Sequence, residues 1–233
     1  MEPHGLLLIN KPSGITSFQV IRLLRHKTGI KKMGHGGTLD KNACGLMILG
    51  IGKGTKLLGG LLTMDKTYLF RIQFGLESET GDMLGTKWSY QSVDKTSVTR
   101  EEIQKKIKEN FDGEVWQTPP VYSALKKNGV RLSDLARNDQ EVTPEQRKVI
   151  FRKVELIHFS YDSWEPSAII RLTCSHGTYI RSFCRDLGKQ LGTLAVMTNL
   201  CRINLGAYHI GYASPLDCIT DRTDLERKII CNC

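Results

Sequence analysis

The sequence predicts an α+β fold built on a largely antiparallel, mixed central sheet flanked by helices and loops. Three observations carry this expectation. Segments with apolar alternation at a period of two recur along the chain, segments with a period near 3.6 interrupt them, and the two kinds follow no strict strand-helix alternation of the sort that builds parallel sheets. With 233 residues, 40% of them hydrophobic, the chain is long enough for one large domain with a substantial core.

Residues 16–27 read as a helix, with Thr16 or Ser17 as cap and Val20, Leu23 and Leu24 as its apolar face. Residues 67–74 read as a strand in which Tyr68, Phe70, Ile72 and Phe74 share one face. A second helix starts at Thr99, spaced from Glu102 as in a capping box, and buries Ile103, Ile107 and Phe111 before Gly113. Residues 117–147 are polar, basic and punctuated by Pro119, Pro120, Gly129 and Pro144, the composition of an excursion able to touch a ligand. Residues 148–159 and 167–175 are strand-like. His176 and Gly177 then turn the chain, Thr178 is placed to cap, and Ile180, Phe183, Leu187 and Leu191 step around a helix ended by Gly192.

Composition narrows the function classes. Thirty-three Lys and Arg against 24 Asp and Glu give a net charge of +9, which biases the partner toward a polyanion. The seven cysteines form no Cys-x-x-Cys pair and have no His at ligand spacing, so no structural zinc site is expected and a reducing compartment is. The pair at Cys231 and Cys233 reads as a frayed tail. The opening MEPHGLLLINKPSG has too short an apolar run for a signal peptide or a membrane span, so a soluble intracellular protein is expected. GLMILGIGKGTK imitates a P-loop, but the residue five before Gly52 is Met47 and no Gly-Lys-Ser/Thr follows.

The chemistry centres on Gly34-His35-Gly36-Gly37-Thr38-Leu39-Asp40, a glycine-rich loop continued to Lys56. It presents one carboxylate, Asp40, which can act as a nucleophile or base if a cation elsewhere in the fold keeps it ionised. Taken alone, a loop Asp is better suited to a turn or a cap than to catalysis.

Three distant segments complete a pattern: DKTY at 65–68, PPVYSALK at 119–126 and SHGTYIRSFCRDLG at 175–188, with KPSGITS at 11–17 as the opening. In this order and spacing the chain resembles the tRNA pseudouridine-55 synthases, the TruB family, over nearly its whole length. The resemblance implies a pseudouridine synthase fold and an isomerase without cofactor or metal. Such an enzyme breaks the C1'–N1 bond of a uridine, rotates the base and rejoins it through C5. The family's nucleophile falls on Asp40. Attack on C6, attack at C1' and proton removal from C2' through a glycal each need one such oxygen, and the sequence does not choose among them.

The resemblance also implies roles for other residues. Arg181 pairs with the catalytic carboxylate, where an Arg cannot lose its charge; read alone, it is equally a phosphate-binding or solvent-facing Arg, one turn from Arg185. Tyr68 stacks on the target base and assists proton transfer, although its periodicity alone reads as a core tyrosine. His35 occupies the space left by the flipped nucleotide, a wedge rather than a general base. Tyr179 and Leu200 line the uridine pocket, and Asp82 supports its hydrogen-bond network. Lys11, Lys66, Lys126, Lys127, Arg131 and Arg137 are candidate phosphate contacts, with Tyr122 packing on RNA, and 117–147 corresponds to a flexible RNA-gripping insertion.

The partner implied is the T-arm of tRNA, together with messenger RNA elements that imitate that loop, met by a monomer without an obligate protein partner or a membrane, in cytoplasm, nucleus or mitochondrion. Two departures stand out: Lys41 and Asn42 follow the Asp where bacterial members commonly have Pro, and Cys201 replaces an Arg common after the pocket leucine. The GHGGTLD wording is closer to eukaryotic members. The chain is expected to lack a full C-terminal PUA domain, leaving affinity to the catalytic domain. An RNA chaperone that folds tRNA with little dependence on catalysis is the alternative, and an RNA-guided subunit of the dyskerin type is disfavoured.

Overall fold

The computed structural model describes residues 2–94, 96–138, 140, 142–161 and 166–230. Cys231 and Cys233, read above as a frayed tail, lie outside them. The chain forms two compact units, Met1–Leu69 with Leu200–Cys233, and Phe70–Asn199. The class is α+β, with mixed and mostly antiparallel pairing among the strands.

In the first unit the strand Gly5–Lys11 pairs antiparallel with Cys44–Ile51, from Gly5 opposite Ile51 to Lys11 opposite Gly45. Met33–His35 adds antiparallel to Cys44–Ile51, whereas Ser214–Pro215 runs parallel to Gly5–Lys11. Cys201 and Arg202 lie parallel beside Cys44 and Gly45. Cys44–Ile51 corrects the sequence reading, which ran it into the glycine-rich loop. A strand buried on both faces shows no alternation, so CGLMILGI gives no period-two signal. Its Met47, Leu49 and Ile51 join Leu7, Ile9, Val20, Ile21 and Leu24 in one apolar cluster. Leu46 and Ile48 face the other way, onto Leu6, Leu8, Leu61 and Leu205.

The first helix spans Ser17–Thr28 with Thr16 as its cap, in a capping box closed by Gln19. Its buried apolar stripe is Val20, Ile21 and Leu24; Leu23, expected inside, is 42% exposed because it lies a quarter-turn off that stripe.

In the second unit Arg147–Ser160 pairs antiparallel with both Ser167–Cys174 and Gly113–Gln117. The helix Arg100–Asn110 is capped by Thr99, whose hydroxyl accepts from the Glu102 amide, and it buries Ile103 and Ile107, with Phe111 buried at its end. Four phenylalanines knit the core: Phe183 meets Phe70, Phe111 and Phe151 at centroid distances of 5.5, 4.7 and 5.7 Å. Such pairs add roughly 0.5–1.5 kcal/mol each beyond their burial. The helix that carries Phe183 spans Ile180–Gln190, and its cap is Tyr179 rather than Thr178. Thr178 instead donates to the Ser175 carbonyl inside the preceding turn. The excursion from 117 contains a small hairpin, Lys126–Lys127 with Val130–Arg131, and the helix Leu132–Arg137.

Candidate active site

Asp40 sits in a loop fastened on both sides of it. The Ser17 hydroxyl donates to the Leu39 carbonyl at 3.2 Å and accepts from the Leu39 amide at 2.9 Å, so the residue before Asp40 is held through both backbone groups. After it, the Lys41 carbonyl accepts from the Gly14 amide at 2.8 Å and the Asn42 carbonyl from the Ser13 hydroxyl at 2.7 Å. The Ala43 amide closes a turn onto the Asp40 carbonyl at 3.1 Å. The KPSGITS segment is therefore the cradle of this loop. The exit at Lys41 and Asn42 gains its rigidity from bonds to Ser13 and Gly14.

Lys11 is fully buried, and its ammonium donates to the carbonyls of Ile15 (2.6 Å), Pro12 (3.0 Å) and Lys41 (3.5 Å). Burial lowers its pKa to about 8, opposed by the negative charges of Cys44 and Asp40. It is a cation of the Asp40 loop and does not reach solvent, which removes it from the expected phosphate contacts. Arg202 was missed by sequence reading. It is 1% exposed, donates from Nε to the Leu46 carbonyl at 2.8 Å and from Nη2 to the Gly37 carbonyl at 3.1 Å, and so braces the glycine-rich turn. No sequence signal separates such an Arg from a surface one. Gly45, at φ +105°, allows Arg202 this approach, since a Cβ there would collide with the Arg202 carbonyl oxygen.

His35 is half-buried at the end of the strand Met33–His35, and its Nδ1 is buried without a hydrogen bond. Burial, then the positive charge of Arg202, lowers its pKa, so the ring is neutral at neutral pH. Tyr68 is half-buried on the strand Lys66–Phe74, and Leu200 is buried. Lys66 does not offer its ammonium to solvent: it is 6% exposed and donates to the Leu62 carbonyl at 2.7 Å and the Leu61 carbonyl at 3.5 Å, which satisfies the end of the helix Leu58–Thr63.

The second unit holds Arg181, at 6% exposure. Nη1 donates to the Thr80 carbonyl at 2.8 Å, Nη2 to the Tyr122 carbonyl at 3.0 Å, and Nε lies 3.8 Å from Asp82 Oδ2. Asp82 is buried in turn, its Oδ1 accepting from the Thr80 hydroxyl at 2.8 Å and the Leu84 amide at 3.0 Å. A guanidinium directed by two carbonyls and a buried carboxylate holds one orientation. Tyr179 is half-buried under the Arg147 guanidinium, 5.9 Å from its ring centroid. Gln117 grips its backbone, accepting from the Tyr179 amide at 2.8 Å and donating to its carbonyl at 3.1 Å. A cavity of about 290 Å³ opens beside Arg181, lined by Thr80, Gly81, Pro120, Val121 and Ser182. Lys126, Lys127 and Arg131 are exposed on the hairpin, and Arg137 is paired with Asp134 at 3.2 Å.

Residues 25–180 match the TruB family pseudouridylate synthase N-terminal domain. This chain belongs to the TruB family. The tRNA pseudouridine synthase B of a Dehalococcoides mccartyi strain is 40% identical over 207 residues, which cover 89% of this chain and 67% of that protein. The enzyme of the same name from Endomicrobium trichonymphae is 40% identical over 206 residues, 88% of this chain and 86% of that protein. Among solved structures, a Cbf5-Nop10-Gar1 complex superposes with a TM-score of 0.69 at 24% identity, covering 93% of this chain and 53% of that one. An archaeal box H/ACA Nop10-Cbf5 complex gives 0.68 at 20% identity, covering 96% and 58%. At that identity the likeness concerns the fold, which is that of pseudouridine synthases. The TruB assignment makes the chain an isomerase that converts uridine to pseudouridine.

Proposed function

We propose that this TruB-family isomerase acts on the T-loop uridine at position 55 of tRNA, and on messenger RNA sites that imitate that loop, with Asp40 as its catalytic carboxylate. The observation that carries this reading is the fastening of the Asp40 loop at Leu39, Lys41 and Asn42 by residues of KPSGITS. A nucleophile gains rate from being held in one place, and here the backbone bonds hold it before substrate arrives.

In this reading Arg181 is the cation that serves the reaction, its guanidinium aimed by Asp82 and two carbonyls. Tyr68 supplies an aromatic face for the extruded uracil, which offsets roughly 1–3 kcal/mol of lost stacking. His35, neutral and half-buried, is the wedge that fills the vacated stack. Tyr179 and Leu200 bound the nucleoside pocket. Lys126 with Lys127 and Arg131 grips phosphates from the exposed hairpin. Lys66 acts through structure, holding the turn that precedes Tyr68. The enzyme works as a monomer without an obligate protein partner, in cytoplasm, nucleus or mitochondrion. Among the described residues no helix is long and apolar enough to cross a membrane.

The experiment uses a T-arm stem-loop tritiated at uridine C5. Wild type is expected to release tritium and Asp40→Asn to release none while keeping its fold and its RNA affinity. Equal tRNA-folding activity with no release from either protein would sink the enzymatic reading and leave the chaperone.

A further inference from the structure

Cys44 and Cys201 are directly opposite each other on neighbouring parallel strands of the first unit. Strand neighbours stand about 4.7–4.9 Å apart, inside the 4.4–6.8 Å window of disulfide-bonded Cα atoms, to order of magnitude. The Cys201 sulfur leans over the Cys44–Gly45 backbone, since a Cβ on Gly45 would come within 2.9 Å of it. Both thiols are free and partly exposed. Cys174 and Cys184 are by contrast buried, and Cys218 is exposed at the end of the short turn Leu216–Cys218. Cys44 is the first residue of its strand, one residue beyond the Ala43 amide that closes the turn on Asp40.

We infer that Cys44 and Cys201 form a peroxide-sensitive dithiol whose reversible oxidation to a disulfide slows the enzyme by locking the strand start that follows the Asp40 turn. The slowing rests on Asp40 being the catalytic carboxylate; the chemistry does not. The neighbouring Cys201 thiol, with the Lys11 ammonium, lowers the Cys44 pKa to about 6, and Cys44 is proposed as the attacking sulfur. Its sulfur attacks one peroxide oxygen, the O–O bond breaks, and hydroxide leaves to be protonated, giving a sulfenic acid. The Cys201 sulfur then attacks that sulfur, the S–O bond breaks, and water departs with the Cys201 proton. Two thiols and one peroxide become a disulfide and two waters.

The test treats folded protein, with Cys231 and Cys233 changed to Ser, with a small excess of hydrogen peroxide. Remaining thiols are then alkylated and the peptides mapped. A cross-linked pair of peptides carrying Cys44 and Cys201, lost on adding dithiothreitol, is expected, with a several-fold fall in tritium release that dithiothreitol restores. Cys201→Ser should lose this sensitivity relative to its own untreated rate. Sulfinic acid at Cys44 without a cross-link, or a cross-link to Cys218, would overturn the site. A Cys44–Cys201 bridge with unchanged turnover would overturn the control, and Asp40→Asn separately reports whether the catalytic reading stands.

Discussion

At the scale of single residues, three buried cations do more to define the Asp40 region and its companion site than surface charge does. Lys11 binds the Lys41 carbonyl and Arg202 the Gly37 carbonyl of the loop, and Arg181 is aimed by Asp82, Thr80 and Tyr122. Replacing Arg181 by Lys keeps the charge but forfeits the planar fork, so tritium release should fall on the order of 10²-fold with RNA affinity nearly unchanged. Gly45→Ala must adopt φ +105° and press into the Arg202 backbone. It should cost on the order of 3 kcal/mol, seen as a lower urea midpoint. Lys11 carries a signed pH dependence. Its pKa falls from 10.5 to about 8 on folding, so between those values the unfolded chain binds more protons at this site than the folded one. The site therefore adds stability as pH rises from 8 toward 10.5, and below 8 its full desolvation cost is present. Lys11→Met should flatten that alkaline rise when the two proteins' urea midpoints are compared across that range.

Individual elements explain where sequence patterns succeed and fail. Amphipathic ones were legible: Ser17–Thr28, Arg100–Asn110 and Ile180–Gln190 fall where their apolar spacing puts them, because one face is wet and the other dry. Leu23 fell on the wrong side because a period read from three residues leaves the stripe's angle loose. Cys44–Ile51 was illegible as a strand because both its faces are buried. The helix Ile180–Gln190 was found, but not its cap, because a side chain 62 positions away does the holding. Gln117→Ala removes both bonds to Tyr179 and should destabilise the protein by about 1–3 kcal/mol. Phe183→Ala empties the centre of the four-ring cluster and should cost about 3–5 kcal/mol. Thermal or urea denaturation measures both, and Gln117→Ala should also lower tritium release because it frees Tyr179.

Across the whole molecule the relevant quantities are charge and its placement. A net charge of +9 predicts RNA binding that weakens steeply with salt. The exposed hairpin concentrates part of it: changing Lys126, Lys127 and Arg131 together to Ala should reduce the slope of log K against log salt by about 0.7–0.9 for each phosphate the variant no longer neutralises. Binding of a T-arm stem-loop at several salt concentrations measures this, and an unchanged slope would remove the hairpin from the interface.

The sequence by itself determined the family, the fold class, the chemistry and Asp40 as the residue to test, because motif order, composition and one-sided periodicity are properties of the chain. Only the tertiary structure decided which cations face inward. Lys11, Lys66 and Arg202 look like surface bases in the sequence, yet each is buried on backbone carbonyls. Charge is written in a residue's identity, but burial depends on which carbonyls the folded chain leaves in need of a donor, and those come from elsewhere in the chain.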